Sequence, residues 1–440
     1  MTDIVTQLET ESGRWPVLRI LEDVSIRWAL LRPPRDHDDD LDLLVASEDL
    51  ERLVDVLGRH GFVEEPSYGR GSHRFFVGYD GRRFTKIDVV TTLDFGPLHV
   101  WQSAMADACL SASDMDDRTY RVSPSDELWI TLLHLLADDG ADPTETHRLA
   151  RLSKLAAAAG GTDQSHGWER ALATILPPTV TGERLFQALL NGDQAELSEL
   201  MATARPLVRR RCLHAGRVQR GSAWFVRTAW LRVTEPARQW RGRRGLLVAV
   251  LGPDGAGKST LLHLAGRTWP WAHQRVYFGL WPDVRNGSSF SAMLWPLRRP
   301  FRAMFRYGIG LLASVRGRLV LFDRYTYDAA APPTGRFQGL KRMYFAVLLH
   351  CAPAPDLVVL LDAPGELLFA RKGEMDPATL DAYRKAVFGH VLRLRGRAGR
   401  PQVVTIDATQ EPSRVSADVT AAIWEMAADR LTHKGKGGPR

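Results

Sequence analysis

The sequence has little cysteine and no long apolar run. Its three cysteines, Cys109, Cys212 and Cys351, lie far apart and form no metal-spaced pair. That spacing argues against a disulfide framework and predicts a reducing, cytoplasmic setting. No apolar run approaches the roughly 20 residues that span a bilayer, and the N-terminus lacks the basic flank and apolar stretch of a secretory signal. A hydrophobic content of 45% excludes disorder as the overall class.

Lysine is also scarce, with eight lysines among the 58 basic residues. An arginine in this chain is therefore weak evidence for function, whereas a lysine at a chemically demanding position is stronger evidence. The net charge of +7 is unevenly distributed, because residues 201–245 contain 12 arginines, one acidic residue and no lysine. We call this segment the arginine-rich connector. The rest of the chain is slightly acidic, so the basic character is local.

The hydrophobic periodicity predicts an α/β protein of several parts. Residues 1–122 mix short strands and helices, and residues 123–244 read as a helical extension that includes most of the connector. Residues 245–432 alternate strand and helix, the pattern of a three-layer domain with a parallel sheet. Residues 433–440 are predicted to be a disordered tail. The N-terminal part is predicted to be an α+β domain carrying the helical extension.

A glycine-rich motif follows a buried strand predicted over residues 246–251. Residues 252–259 fit G-x-x-x-x-G-K-[ST] in full, and a helix is predicted directly after them. The glycines let backbone N–H groups surround phosphate oxygens, and the helix N-terminus adds positive potential. Lys258 is expected to neutralise the β- and γ-phosphates of ATP, and Ser259 to bind Mg²⁺. The residues predicted to bind the nucleotide are Gly252, Asp254, Gly255, Ala256, Gly257, Lys258, Ser259 and Thr260.

A carboxylate is expected beside this motif, because the Mg²⁺ ion of such a site needs one. Two apolar runs end in an aspartate: residues 319–323 end at Asp323, and residues 357–362 end at Asp362. We favour Asp323, because Arg324 follows it and pairs a carboxylate for the metal with a cation for phosphate.

Together these motifs resemble those of the thymidylate kinase family of nucleoside-monophosphate kinases. The resemblance rests on residues 254–260, on Asp323-Arg324-Tyr325, and on a lid-like stretch over residues 368–376 with Tyr383-Arg384 downstream. It implies a P-loop kinase domain over residues 245–432, which transfers a phosphoryl group from ATP to an acceptor phosphate with Mg²⁺ as cofactor. By resemblance, the catalytic residues are Lys258, Asp323, Arg324 as acceptor-phosphate ligand, and Arg371 as a lid cation together with Lys372 and Arg384.

The sequence departs from this family in the segment where family members recognise the phosphoryl acceptor. The family's Arg-Glu-Pro-Gly-type element is absent, and residues 276–285 stand in its place. Residues 291–318 contain four aromatic residues and six arginines but no acidic residue. The aromatic residues are Trp295, Phe301, Phe305 and Tyr307, and the arginines are Arg298, Arg299, Arg302, Arg306, Arg316 and Arg318. Such a segment fits a bulkier or more anionic acceptor pocket, a membrane-facing surface, or a buried helix with arginine on its wet side.

An acidic cluster lies near the N-terminus. Asp40 and Asp42 are two residues apart at the start of a predicted strand, so their side chains are expected to share one face, and Asp88 lies on another predicted strand. Three converging carboxylates can hold two Mg²⁺ ions for nucleotidyl transfer. The alternative is an acidic solvated turn, which includes His37, with an unrelated Asp88.

This cluster resembles the nucleotidyltransferase superfamily over roughly residues 15–105, which implies Asp40, Asp42 and Asp88 as metal ligands. The family's Gly-Ser pair, which grips the triphosphate, is replaced here by residues 29–34, which contain neither glycine nor serine. Arg32 or Arg35 would have to substitute for that pair.

In the connector, arginines alternate with Trp224, Phe225, Trp230 and Trp240 at helical spacing. That pattern suits an anionic membrane surface or a nucleic-acid backbone. It is equally typical of a helix whose aromatic face packs on a domain while its arginines face water or acidic groups.

The expected function is ATP- and Mg²⁺-dependent phosphoryl transfer to a nucleoside monophosphate or a similar phosphorylated small molecule. One alternative is a nucleotidyltransferase that acts on a macromolecule or glycan precursor, with the P-loop domain as a regulatory ATP-binding module. Another is a nucleic-acid or membrane-surface binding protein that uses the connector. The sequence leaves the identity of the acceptor and the oligomeric state open.

Overall fold

The computed structural model of the chain divides into two compact units. The N-terminal unit comprises residues 1–80 and 85–235, and the C-terminal unit comprises residues 81–84 and 236–440. His37, Arg35 and residues 280–285, which the sequence singled out, lie outside the described residues. The structure describes residues 16–33, 40–67, 70–116, 119–137, 146–159, 166–241, 245–279, 289–333, 337–373, 375–394 and 401–435.

Nine strands lie in the described part of the N-terminal region. They are β1 (Trp28–Leu30), β2 (Leu41–Val45), β3 (Val63–Glu65), β4 (Arg74–Tyr79), β5 (Phe84–Val90), β6 (Leu93–Phe95), β7 (Trp101–Ser103), β8 (Asp114–Asp116) and β9 (Thr119–Arg121). Seven of them build a mixed sheet in the order β3-β4-β5-β2-β1-β9-β8, and β6 pairs with β7 in a separate two-stranded ribbon. Strand β2 runs parallel to β5 and antiparallel to β1.

Within the described residues, the helices up to residue 241 are α1 (Pro16–Glu22), α2 (Leu50–Arg59), α3 (Ala106–Ser111), α4 (Pro124–Ala137), α5 (Thr146–Ala159), α6 (His166–Ala173), α7 (Gly182–Leu190) and α8 (Gln194–Arg241). Different helices cover the two faces of the sheet, and successive strand residues point to opposite faces. Leu41 and Leu43 of β2 pack in one cluster with residues of α1 and α2, such as Leu21 and Leu57. Leu44 lies in a second cluster, which contains residues of the later helices.

The helical extension shares a core with the sheet. One apolar cluster joins Ala29 and Val90 of the strands with Leu132 of α4, Leu189 of α7 and Val208 of α8. The division at residue 122 predicted from the sequence therefore falls inside a continuous apolar core, and the compact unit extends to Glu235.

Helix α8 is broken at one glycine. Gly221 has φ +78° and ψ 159°, which no α-helical residue adopts. Glycine takes this conformation at little steric cost because it has no Cβ. The helix therefore consists of two segments that meet at Gly221.

The described helices and strands of the C-terminal unit are β10 (Leu246–Leu251), α9 (Lys258–Thr268), β11 (His273–Tyr277), α10 (Ser289–Val315), β12 (Leu319–Asp323), α11 (Gln338–His350), β13 (Leu357–Asp362), α12 (Gly365–Lys372), α13 (Pro377–Leu392), β14 (Gln402–Asp407) and α14 (Pro412–Gly435). The five strands form one sheet in the order β11-β12-β10-β13-β14, and all of its strand pairs are parallel. The predicted strands over residues 246–251, 319–323 and 357–362 are confirmed.

Helices cover both faces of this parallel sheet. All six residues of β10 are buried, as expected when a parallel strand has no wet face. Ala249 packs in one cluster with Ala313 of α10, Phe345 of α11 and Val387 of α13. Helices α9 and α14 contact each other and the sheet outside that cluster. The predicted α/β class is confirmed.

The C-terminal end differs from the prediction in one respect. Helix α14 continues to Gly435, so residues 433–435 are helical, although the sequence predicted a disordered tail from residue 433. Residues 436–440 lie outside the described part of the chain. Among the described residues, no helix is both long enough and apolar enough to cross a membrane.

A buried carboxylate organises the start of α4. Ser123 caps the helix: its Oγ accepts from the N–H of Asp126 at 3.1 Å and donates to Asp126 Oδ2 at 2.7 Å. Trp168 Nε1 of α6 donates to Asp126 Oδ1 at 2.7 Å. The thiol of Cys109 also hydrogen-bonds to Asp126, and burial followed by this carboxylate raises the pKa of the thiol. The carboxylate thus links three segments of the N-terminal unit.

Replacing the indole donor tests this arrangement. We expect Trp168→Phe to lower the free energy of unfolding by about 1–3 kcal/mol, because a buried carboxylate loses a hydrogen bond. Trp230→Phe is the matched control: Trp230 is 62% exposed, so its replacement should change stability by less than about 0.5 kcal/mol. Urea unfolding followed by circular dichroism measures both. Equal midpoint shifts in the two variants would contradict a stabilising role for the Trp168–Asp126 bond.

Candidate functional site

The glycine loop, residues 252–257, connects the end of β10 to the start of α9. Gly255 and Gly257 have φ values of +89° and +80°, in the region that favours glycine. A Cβ on Gly255 would lie 2.7 Å from the carbonyl oxygen of Leu368. The loop can therefore take this path only with glycine at position 255, and it places the first turn of α9 at the carboxyl edge of the sheet.

The other residues predicted to bind nucleotide follow the same path. Gly252 packs closely, because a Cβ there would lie 3.1 Å from the carbonyl oxygen of Leu361. Ala256 is buried, and Thr260 in the first turn of α9 is exposed. The loop thus brings the whole motif to one place, with its backbone and the N-terminus of α9 together.

Lys258 is held inside the loop. Its ammonium group donates to the carbonyl oxygens of Gly252 at 2.8 Å and Pro253 at 2.7 Å. The side chain is buried, and burial together with the nearby Arg324 lowers the pKa of Lys258 to about 8. The carboxylate of Asp254 partly balances this charge, with Oδ1 3.7 Å from the ammonium nitrogen.

Ser259 and Asp323 meet beside the loop. The strand pairing sets Val250 of β10 opposite Asp323 of β12, so β12 ends next to the glycine loop. Ser259 Oγ donates to Asp323 Oδ2 at 3.1 Å. A hydroxyl and a carboxylate are hard oxygen ligands of the kind that Mg²⁺ takes, together with water and substrate phosphates.

Arg275 of β11 was missed by the sequence analysis. Its guanidinium forms an ion pair with Asp323 and is partly exposed. Strand β11 lies beside β12 in the register Tyr277 opposite Asp323, so residues 275 and 323 share one side of the sheet. Only the strand order brings these two residues together, and no motif in the sequence encodes that order.

Arg324 is the centre of a buried charge network. Its backbone has φ +71°, and its guanidinium pairs with Asp254 of the loop and, at 3.4 Å, with Asp328. Burial lowers the pKa of Arg324, but Asp328 and Asp254 outweigh it and raise the pKa. Tyr383 OH donates to Asp328 Oδ1 at 2.5 Å, and burial raises the pKa of Tyr383.

Asp254 responds to the same network. Burial raises the pKa of this carboxyl, but Arg324, Lys258 and Lys372 lower it, and the balance lies below the ordinary value. The carboxyl group of Asp254 is therefore ionised at neutral pH, and three cations surround it. The predicted acceptor ligand Arg324 and the predicted nucleotide ligands lie in one cluster.

The predicted lid cations have separate surroundings. Arg371 Nη1 donates to the carbonyl oxygen of Ala408, just after β14, at 2.9 Å. Arg384 pairs with Asp362, the second aspartate candidate for the metal, and with Asp381. Lys372 acts electrostatically on Asp254. Of these cations, Lys372 thus has an interaction with the glycine loop, and the catalytic role of Arg371 stays a prediction.

The acidic cluster of the N-terminal unit is only partly assembled. Strands β2 and β5 set Asp42 directly opposite Asp88. Asp42 forms an ion pair with Arg32. Burial raises the pKa of Asp42, and Asp88 adds to this effect although Arg32 opposes it. His73 Nδ1 lies 3.0 and 2.9 Å from the two carboxylate oxygens of Asp88.

Asp40 lies directly before strand β2, which begins at Leu41. It is exposed, with Lys86 Nζ 4.0 Å from its carboxylate. Lys86 and Asp88 are two residues apart on β5 and so share one face of that strand. That Asp40 shares a face with Asp42 and binds metal with it stays a prediction. Within the described ranges, no three His, Cys, Asp or Glu side chains are placed to hold a metal ion together.

The connector makes internal contacts in the N-terminal unit. Arg220 Nη2 pairs with the buried Asp94 at 2.8 Å, and its Nε donates to the carbonyl oxygen of Val100 at 3.1 Å. Its guanidinium also lies 4.6 Å from the centre of the Trp224 ring. This part of the connector is thus used for packing, which agrees with the interpretation that its arginines pair with acidic groups.

No protein-family model matches the chain, and no curated protein sequence matches it.

The conformation of Gly255 gives a direct test of the loop. We expect Gly255→Ala to lower the stability of the C-terminal unit by about 1–3 kcal/mol, because alanine at φ +89° is strained and its Cβ meets Leu368. It should also weaken the binding of a fluorescent ATP analogue.

Gly389→Ala, inside α13, is the matched control. Position 389 has room for a Cβ, so this substitution should stabilise the unit by about 0.4–1 kcal/mol. Chemical denaturation and a fluorescence titration measure both; wild-type behaviour of Gly255→Ala would show that the loop does not need this conformation.

Proposed function

We propose that the C-terminal unit is a P-loop kinase similar to thymidylate kinase, which transfers a phosphoryl group from ATP to a nucleoside monophosphate or a similar phosphorylated acceptor. The observation that supports this most strongly is the meeting of Ser259 and Asp323 beside a glycine loop that encloses Lys258. A phosphate site needs a backbone cradle, a cation and oxygen ligands for a metal. The glycine loop, Lys258 and the pair Ser259–Asp323 bring these three parts together at the first turn of α9.

The residues fit a magnesium cofactor. Ser259 and Asp323 would hold Mg²⁺, and a site of this kind needs only one or two protein oxygens because phosphates and water complete it. The lack of a larger acidic cluster in the described part of the chain therefore agrees with the proposal. Bound Mg²⁺ supplies charge neutralisation at the phosphates of ATP.

The residues of the chain position and neutralise the reacting phosphates. The glycine loop offers backbone N–H groups to the phosphate oxygens. Lys258, held by two carbonyl oxygens, is ready to exchange these contacts for phosphate oxygens, which bear a full negative charge. Catalysis of this type is mainly positioning and charge neutralisation.

Arg324 supports an acceptor that carries its own phosphate. Its guanidinium is fixed between Asp254 and Asp328, in the same cluster as Lys258. A rigid fork of N–H donors recognises phosphate in two-point contacts. The next residue, Tyr325, is buried, and its ring lies 4.6 Å from that of Phe278 with the two planes tilted by 32°.

Removal of the loop lysine tests the kinase proposal. We expect Lys258→Ala to lower ATP turnover at least about a hundredfold, since a cation that neutralises transferring phosphate contributes roughly 2.7 kcal/mol or more. Circular dichroism checks that the variant remains folded. Lys154→Ala is the matched control, because Lys154 is an exposed lysine of the N-terminal unit and should retain full turnover.

The phosphoryl acceptor is identified by a coupled ATP-consumption assay, in which nucleoside monophosphates and phosphorylated sugars are tested one by one. Transfer of label from γ-labelled ATP to one of these small acceptors supports the proposal. Unchanged turnover in folded Lys258→Ala would overturn it.

Arg275 is expected to compete with Mg²⁺ for Asp323. Because the guanidinium is partly exposed, its ion pair contributes at most about 1 kcal/mol, so Arg275→Gln should lower the half-activating Mg²⁺ concentration about two- to fivefold. Arg267→Gln, an exposed arginine on α9, changes the net charge equally and should leave this concentration unchanged. Mg²⁺ titration of ATP turnover gives the answer. A higher Mg²⁺ requirement in Arg275→Gln would argue against competition at Asp323.

The register of Asp42 and Asp88 favours nucleotidyl transfer by the N-terminal unit as a second candidate. Both carboxylates already have partners, Arg32 and His73, so metal binding there requires these contacts to rearrange. Label from α-labelled ATP on a macromolecule, lost in Asp42→Asn and Asp88→Asn, would support this candidate. Label confined to the γ-position and to a small acceptor would exclude it for the conditions of the assay.

A further inference from the structure

Two neighbouring helices of the C-terminal unit present large apolar side chains to solvent. Phe301 and Phe305 of α10 are 74% and 70% exposed, and Leu340 and Met343 of α11 are 68% and 70% exposed. Large exposed apolar areas of this kind usually mark an interaction surface. We call Phe301, Phe305, Leu312, Leu340, Met343 and Val347 the α10–α11 face.

The spacing places these side chains in one stripe on each helix. Phe301, Phe305 and Leu312 are separated by four and seven residues, and Leu340, Met343 and Val347 by three and four. The opposite sides of the same helices are buried in the core through Ala303, Ala313, Phe345 and Leu348. Each helix is therefore apolar on both sides, although only one side packs against the sheet.

The two stripes belong to one surface. Helices α10 and α11 contact each other, and Arg299 of α10 hydrogen-bonds to Tyr344 of α11. Both helices pack on the same face of the sheet, in the cluster that contains Ala303 and Phe345.

The charged residues of the two helices all have one sign. Neither helix contains an acidic residue. Arg298 and Arg316, both exposed, lie one turn before Phe301 and one turn after Leu312, at the two ends of the stripe. Lys341 and Arg342 lie on α11 about 100° around the helix from Leu340 and Met343, one on each side of the stripe. The charged side chains that α10 and α11 place around the apolar face are thus all cations.

This charge pattern decides between occupants. A second copy of the chain, docked symmetrically through the same face, would bring arginines against arginines, and like charges across an interface are costly. An anionic bilayer offers the opposite charge to the arginines and an apolar layer for the phenylalanines and leucines.

We propose that the α10–α11 face binds the surface of an anionic lipid bilayer. Its apolar side chains enter the boundary between headgroups and acyl chains, and its arginines contact the lipid phosphates. Binding is peripheral, since no described helix can span a membrane. The proposal does not depend on the catalytic activity of the chain.

Vesicle co-sedimentation of the full chain tests the proposal. We expect binding to vesicles of phosphatidylcholine with about one third phosphatidylglycerol, weak binding to phosphatidylcholine alone, and a steep loss of binding as salt is raised. The double variant Phe305→Ser, Met343→Ser should lower the partition coefficient about tenfold or more, because two inserted apolar side chains are lost. Leu392→Ser removes a partly exposed leucine of α13 and should bind like the wild type.

Circular dichroism and sedimentation velocity accompany the binding measurement. Binding that is lost in the folded double variant but retained in Leu392→Ser supports the proposal. Three results would overturn it: no preference for anionic vesicles, equal binding by the folded double variant, which would place the membrane site elsewhere, or a dimer in solution that the double variant dissociates while vesicles bind neither form.

Discussion

Buried cations at the glycine loop require matching carboxylates, and this charge balance organises the C-terminal unit. Lys258 and Arg324 are both removed from bulk water, and an isolated buried charge would be very costly. Asp254, Asp323 and Asp328 surround them. These carboxylates come from the loop, from the end of β12 and from the turn that follows it. The three segments must therefore keep their relative positions for any of the charges to remain paired.

The parallel sheet provides those positions. Carboxyl ends of adjacent parallel strands lie at one edge, so β10 and β12 deliver the loop and Asp323 to the same place. The network also explains why Arg324 keeps a backbone conformation that is unusual for a residue with a Cβ. Two carboxylates fix its guanidinium, and the turn after β12 directs the side chain back over the loop.

Much of this site could be predicted from the sequence, because its parts are local. The loop, the buried strands and the aspartate at the end of β12 are contiguous motifs with a direct physical meaning. Arg275 could not be found in this way, since its contact with Asp323 depends on strand order. The shared core of the sheet and the helical extension could not be found from the sequence either, because composition changes near residue 122 while packing continues across it.

The conformation of Gly221 changes how the connector should be interpreted. An unbroken helix of 48 residues would form a rod of about 72 Å, and a single helical wheel would describe all its side chains. The break resets the helical phase, so residues before and after Gly221 belong to two separate wheels. Arginines and tryptophans that one helical wheel would place on a single face across the full length therefore do not form one continuous stripe. Each segment has its own amphipathic direction, and the first of them already uses Arg220 to neutralise a buried carboxylate.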